Sequence, residues 1–212
     1  MAYDLEEQEQ LASFKAFWNQ YGNFILTVVT VVLLAIAGWR GWGWYQAREA
    51  AAAAVVYEEL QVAVQSKDLA KVKAAAGTLF EQYGRSPYGP MGALVAAKAY
   101  FDGGDLKAAR APLQWVIDNA KDDEFKHLAR VRLAGILLDQ EAYDEGLKLL
   151  SAEPSARFAS SYADRRGDLL VAQGKTDEAR AAYQQALDKA DAKSPMRRIT
   201  QVKLDALGGA TK

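Results

Sequence analysis

The sequence predicts an all-α protein in which an N-terminal single transmembrane helix is followed by an α-solenoid of stacked helix pairs. Three observations predict it. Residues 16–39 carry no charged side chain. A unit of small and bulky apolar residues recurs at shifts of 33 to 37 residues through the remainder. Alanine is abundant while only 5 prolines occur in 212 residues, which favours closely packed helices over a loop-rich sandwich.

The charge-free run comes first. At a rise of about 1.5 Å per residue it spans about 36 Å, slightly more than the ~30 Å hydrocarbon core of a bilayer. Its centre, Phe24 to Ala37, is built from aliphatic residues with Thr27 and Thr30. Such a segment crosses lipid only as a helix, because lipid offers no partner to an unpaired N–H or C=O. Trp18 and Tyr21 before it, and Trp39, Arg40, Trp42 and Trp44 after it, form the expected membrane-interface belts. The alternative is the buried core helix of a soluble domain, which rarely runs this far without a charge.

Residues 1–15 are expected to form an acidic tail and 16–45 the transmembrane helix with its belts. The acidity argues against a secretory signal, whose first region is basic. Ala35-Ile36-Ala37-Gly38 has the small-x-small form of a cleavage site, yet the Trp-rich stretch beyond it reads as an interfacial anchor, so an uncleaved anchor is expected. Charge leaves orientation nearly open. Lys15 and the α-amino group face Arg40 and Arg48, and counted literally this places the C-terminal domain in the cytoplasm. Residues 46–66, with the Ala50–Ala54 run, read as continued helix entering a first, degenerate repeat.

Repeats are expected over 57–193. Ala97, Gly104, Ala109 and Leu113 shift by 37 onto Ala134, Glu141, Gly146 and Leu150, and by a further 33 onto Gly167, Gly174, Ala179 and Tyr183. Backward by 37, Asp105-Leu106 falls on Asp68-Leu69. Each unit holds a small residue for close helix approach, a break, a second small residue on the return helix and a bulkier apolar residue four positions later. The breaks are Gly103-Gly104-Asp105, Gln140-Glu141-Ala142 and Gln173-Gly174-Lys175. An antiparallel helix pair of this kind needs a neighbour to cover its apolar faces. The last unit, Gly-Lys-Thr-Asp-Glu-Ala-Arg-Ala-Ala-Tyr-Gln-Gln-Ala-Leu from Gly174, resembles the tetratricopeptide repeat. The usual first-helix aromatic is Tyr100 in one unit but Leu137 and Leu170 in others, and the third unit's link is shortened around Glu153-Pro154-Ser155. Residues 194–212 read as a capping helix and tail, with Ser194 at the N-cap, Pro195 at the first helical position and Gly208-Gly209 ending it.

No catalytic constellation emerges, and no enzyme, cofactor or metal site is expected. The sequence has no Cys and a single histidine, His127, which reads as a solvated residue of a helix start. Asp122, Asp123 and Glu124 complement a helix dipole. Arg165-Arg166 and Arg197-Arg198 read as solvated faces. With 26 basic and 27 acidic residues, no global field points to nucleic acid.

Surface for binding is what remains. First helices of stacked pairs line a concave groove, and this register aims Lys98 and Phe101, Val131 and Leu138, and Asp164 and Asp168 into it. Polarity then runs from basic-aromatic through apolar to acidic. Tetratricopeptide grooves that clamp a C-terminal carboxylate use Lys and Asn on these faces. The matching positions here are Leu94 and Lys98, Val131 and Gly135, and Asp164 and Asp168, so that clamp is missing and an extended chain or folded partner fits better.

The acidic start, the single apolar helix with its Gly38-Trp39-Arg40-Gly41-Trp42 exit and the degenerate repeats together resemble the YfgM-like family of ancillary Sec translocon subunits, over essentially the full length. The resemblance implies a bacterial inner-membrane protein with its N-terminus in the cytoplasm and its repeats in the periplasm. It also implies association with SecYEG and with the membrane-anchored periplasmic chaperone PpiD, passing emerging client chains to chaperones. This orientation is adopted over the charge count, since long domains translocate largely regardless of charge. A regulatory anchor, whose acidic tail holds a signalling factor while the repeats sense envelope stress, is the alternative function.

Overall fold

Glu49 and Ala50 mark the division of the chain into two units in a computed structural model that describes residues 2–208, with side chains from residue 9 onward. Every regular element among the described residues is helical. The first, α1 (Ala2–Gln65), contributes every described residue of the N-terminal unit.

Within that unit the apolar stretch packs against nothing. Leu34 is 67% exposed and Trp39 83%, so this stretch of α1 is not a buried core segment. It is long and apolar enough to cross a membrane. Thr27 and Thr30 donate their hydroxyls to the carbonyls of Asn23 and Leu26, each at 2.7 Å, which lets an apolar helix carry two hydroxyls without unmet donors.

The second unit opens with the end of α1 and continues through α2 (Leu69–Tyr83), α3 (Tyr88–Asp102), α4 (Leu106–Asn119), α5 (Asp123–Asp139), α6 (Tyr143–Leu149), α7 (Ala159–Ala172), α8 (Thr176–Lys189) and α9 (Pro195–Ala206). One turn geometry recurs inside each pair. Lys67, Gly104, Glu141 and Gly174 all adopt positive φ, between 56° and 79°. The next residue's N–H then reaches five residues back: Asp68 to Ala63, Asp105 to Tyr100, Ala142 to Leu137 and Lys175 to Leu170, at 2.8–3.0 Å. These are Schellman closures, which satisfy the last carbonyls of one helix while reversing the chain. Asp68 and Asp105 then cap the return helices, accepting from Lys71 N at 3.1 Å and Ala108 N at 2.8 Å. The degenerate first unit therefore shares the turn of the clearer ones.

The core is a series of linked clusters, each joining one pair to the first helix of the next. Ala53, Leu60 and Ala63 meet Val72, Ala76, Leu79, Ala96 and Ala99. Ala97, Ala109 and Leu113 then meet Leu133 and Leu137, and Ala134 and Leu150 meet Tyr162 and Leu169. Small residues allow the approach. A Cβ at Gly146 would lie 2.9 Å from Leu169 Cδ2, tighter than real contacts tolerate. The third pair is the irregular one: Pro154 cannot continue a helix, α6 stops after two turns, and an irregular link leads to α7. Pro195 follows Ser194 at the first turn of α9, and Gly208 (φ +92°) lies just past its end; Gly209 falls outside the described residues.

Candidate partner-binding groove

Helices α3, α5 and α7, the first of successive pairs, lie side by side and enclose a groove of about 310 Å³. Its walls are Ala97, Lys98 and Phe101 of α3, Leu113 beneath them, Arg132, Gly135, Ile136 and Asp139 of α5, and Arg165 of α7. Phe101 stays 44% exposed at the edge. Lys98 is held on its own helix by Asp102, at 2.7 and 2.9 Å. Arg165 pairs with Asp168 at 3.1 Å. Arg132 has no carboxylate within bridging distance among the described residues; its one contact is the Leu94 carbonyl at 3.4 Å. Burial draws its guanidinium pKa below the usual arginine value.

The six groove residues expected from sequence are distributed unevenly. Lys98 and Phe101 line this groove. Val131 and Leu138 are half-buried against the Ala134–Leu150–Tyr162–Leu169 cluster. Their neighbours Arg132 and Asp139 take the groove wall instead, because one residue rotates a helix face by about 100°. The signal was legible: Arg132, Gly135, Ile136 and Asp139 share one helical face by their spacing, and it carries the only arginine of that stripe.

Asp164 and Asp168 do not present a free acidic end. Asp164 is buried and accepts from Thr200 Oγ1 at 2.8 Å and Lys203 Nζ at 2.8 Å. Asp168 accepts from Lys203 at 2.7 Å and from the Tyr183 hydroxyl at 2.8 Å. The expected acidic end of the groove is thus a lock that fixes α9 over α7 and α8. Its carboxylates are consumed by Lys203 because α9 crosses them, a long-range contact no local pattern announces. Burial, and then the Asp168 carboxylate, push the Tyr183 hydroxyl pKa far upward.

Two further expectations are corrected. His127 is buried, not solvated: its Nδ1 lies 2.8 Å from the Tyr162 hydroxyl and its Nε2 accepts from Ser155 N at 3.3 Å. The ring supplies an acceptor to the irregular link, which has no helical partner for that amide. Nor are the paired arginines only solvated faces. Arg166 donates to the Leu150 carbonyl at 3.0 Å and Arg197 to that of Leu187, meeting carbonyls at the ends of α6 and α8. Asp122 does cap α5, accepting from Glu124 N at 2.9 Å.

In the N-terminal unit, Trp18, Tyr21, Trp39, Trp42 and Trp44 stand out from α1, 44–83% exposed, and Arg40 is exposed too. Among the described residues no cluster of three metal-ligating side chains occurs.

An uncovered apolar helix joined to stacked helix pairs with a first-helix groove defines a tetratricopeptide-like protein with a candidate membrane anchor. The comparisons agree. The chain matches the tetratricopeptide repeat-like domain family over residues 15–209. It is 35% identical to the ancillary SecYEG translocon subunit of Neisseria gonorrhoeae, covering 98% of this chain and 100% of that one. It is 27% identical to the protein of that name in Escherichia coli (95% and 96% covered) and 27% identical to that of Haemophilus influenzae (88% and 91%). No solved structure matches it significantly. The chain belongs to the tetratricopeptide repeat-like family that includes these ancillary translocon subunits.

Proposed function

We propose that this chain is a non-enzymatic, membrane-anchored ancillary subunit of a bacterial Sec translocon. The observation that carries the reading is the full-length likeness to proteins named for that role, at 35% identity over 98% of the chain. The uncovered apolar part of α1 supports a single span, with its tryptophan belts at the headgroups. In this reading the N-terminus lies in the cytoplasm and the repeats in the periplasm. SecYEG is the principal partner, a membrane-anchored chaperone such as PpiD is a second, and emerging clients pass between them. The groove of α3, α5 and α7, with Lys98 and Phe101 at its edge, is the partner-binding face; Val131, Leu138, Asp164 and Asp168 support it from behind.

The test is co-purification from inner membranes. Full-length tagged chain should retain SecYEG, and removal of residues 1–15 should leave that association intact. Absence of SecYEG from the full-length preparation would reject the reading, and its loss on removing residues 1–15 would favour the regulatory anchor instead.

A further inference from the structure

Helix α9 closes the stack of pairs, yet its outer side is not polar as that of a terminal repeat usually is. Its inner side is settled: Thr200 bonds Asp164 of α7, and Leu204 is buried with Tyr183 and Leu187 of α8. A second apolar strip on the same helix is uncovered. Met196, Ile199, Val202 and Ala206 follow one another at intervals of three, three and four residues, which sets them on one side of a helix. All four are exposed, Val202 the most at 68%. Arg198 and Asp205, seven residues apart, run along one edge of this strip. Among the described residues neither has an ion-pair partner, and the Asp205 carboxylate accepts only from the Gln201 amide of its own helix, at 2.8 Å. Both charges also oppose the helix dipole, the arginine in the first turn and the aspartate in the last. Their placement costs α9 stability locally, so what they serve lies outside it.

We infer that α9 is a self-recognition surface, pairing antiparallel with α9 of a second copy of this chain across a two-fold axis close to Val202. The pattern of charge selects this occupant and this arrangement. A two-fold that makes two helices antiparallel brings the same edge of each together, so that residue i faces j and j faces i. The register that sets Arg198 against Asp205 of the second copy also sets the two Val202 side chains beside each other at the axis. It places each Ile199 beside the other strip's Val202 and Ala206, so one alignment closes both charge pairs and the apolar strip. A parallel pair would bring the arginine edge against the Lys203 edge, whose ammonium is held by Asp164 and Asp168, and would leave Arg198 and Asp205 unmatched. A strip one helix long falls short of the about 800 Å² per side of a standard interface. The pairing is therefore weak between free molecules and gains from copies held in one membrane, a condition that rests on the reading of α1 as an anchor. It does not depend on SecYEG.

The experiment co-expresses two differently tagged full-length copies, one carrying a photoreactive amino acid at position 202. Irradiated, carbonate-washed membranes are probed for an adduct bearing both tags. It should form several times more than from position 107, on the exposed side of α4. Arg198→Asp or Asp205→Arg, made in both copies, should lower it about fivefold, because each change sets like charges opposite one another twice in the pair. The two changes combined should restore it. Each single change suits the helix dipole better than the parent residue, so its loss of adduct cannot come from melting of α9. Absence of the doubly tagged adduct from membranes that retain the chain, adducts with other proteins only, or a combined variant no better than the single ones would overturn the inference. Loss of the chain from the washed membranes is a different failure: it would reject the anchor reading, and the membrane-supported pairing with it.

Discussion

The Tyr183 ring of α8 fills the space where a side chain on residue 167 of α7 would begin: a Cβ at Gly167 would stand 2.5 Å from Tyr183 Cδ1. Both positions belong to the recurring small-and-bulky pattern, and the ring is almost wholly buried. Gly167→Ala should therefore destabilise the repeat domain by about 1–3 kcal/mol through overpacking, although alanine is the better helix former. Denaturant unfolding in micelles checks this, and Tyr183→Leu should recover part of the loss in the double variant.

Lys203 joins α9 to both buried carboxylates of α7, at 2.8 Å to Asp164 and 2.7 Å to Asp168. Removing the ammonium leaves two acids facing each other with reduced compensation. Lys203→Met should cost about 3 kcal/mol, more than typical surface charge removals. Proteolysis at the C-terminal end should accelerate before any change at α2.

The left-handed turns offer a test of opposite sign. Glu141 has φ 61° where the aligned turns of two other pairs carry glycine. Glu141→Gly should stabilise the domain by a few tenths to about 1 kcal/mol, and Glu141→Val should destabilise it by more. Melting temperatures of the two variants should straddle that of the parent.

Alkaline pH should weaken the C-terminal lock in a way that depends on Tyr183. Its hydroxyl pKa is raised in the fold, first by burial and then by Asp168, so its contribution is complete below the unfolded value near 10 and fades as pH rises above it. Tyr183→Phe should flatten the fall in stability above about pH 10 while leaving the neutral-to-mildly alkaline slope unchanged. A parallel fall in both proteins would contradict the assignment.

His127 gives a local prediction. Replacing it with Phe keeps the packing against Phe158 and Tyr162 but removes the acceptor for Ser155 N–H. Global stability should fall by about 1–2 kcal/mol. Amide exchange should accelerate most at Ser155 and its neighbours in the link before α7.

Much of the fold is legible in the chain because its determinants are local. The glycines at 104 and 174, the small residues at 97, 109, 134, 146, 167 and 179, and the Ser194-Pro195 start each act within one helix pair. The uncharged run of α1 is equally plain. What stayed hidden depends on contacts between distant residues. Nothing near Asp164 or Asp168 announces that α9 will return to place Lys203 on them. His127 looks like any polar residue in a helix start until the Pro154 link folds back over it. The groove was missed by a single position: Val131 and Arg132 are adjacent, and only the packing of α5 on its neighbours decides which one faces outward.

The proposed translocon-associated subunit would meet its partners through the repeat groove in the periplasm. A photoreactive amino acid at position 101, on the exposed edge of that groove, tests it in intact cells. Crosslinks to translocon subunits or to periplasmic chaperones, identified by mass spectrometry, are the predicted result. Crosslinks to cytosolic proteins alone would contradict it, and the small excess of positive charge after the apolar helix would then have told the orientation correctly.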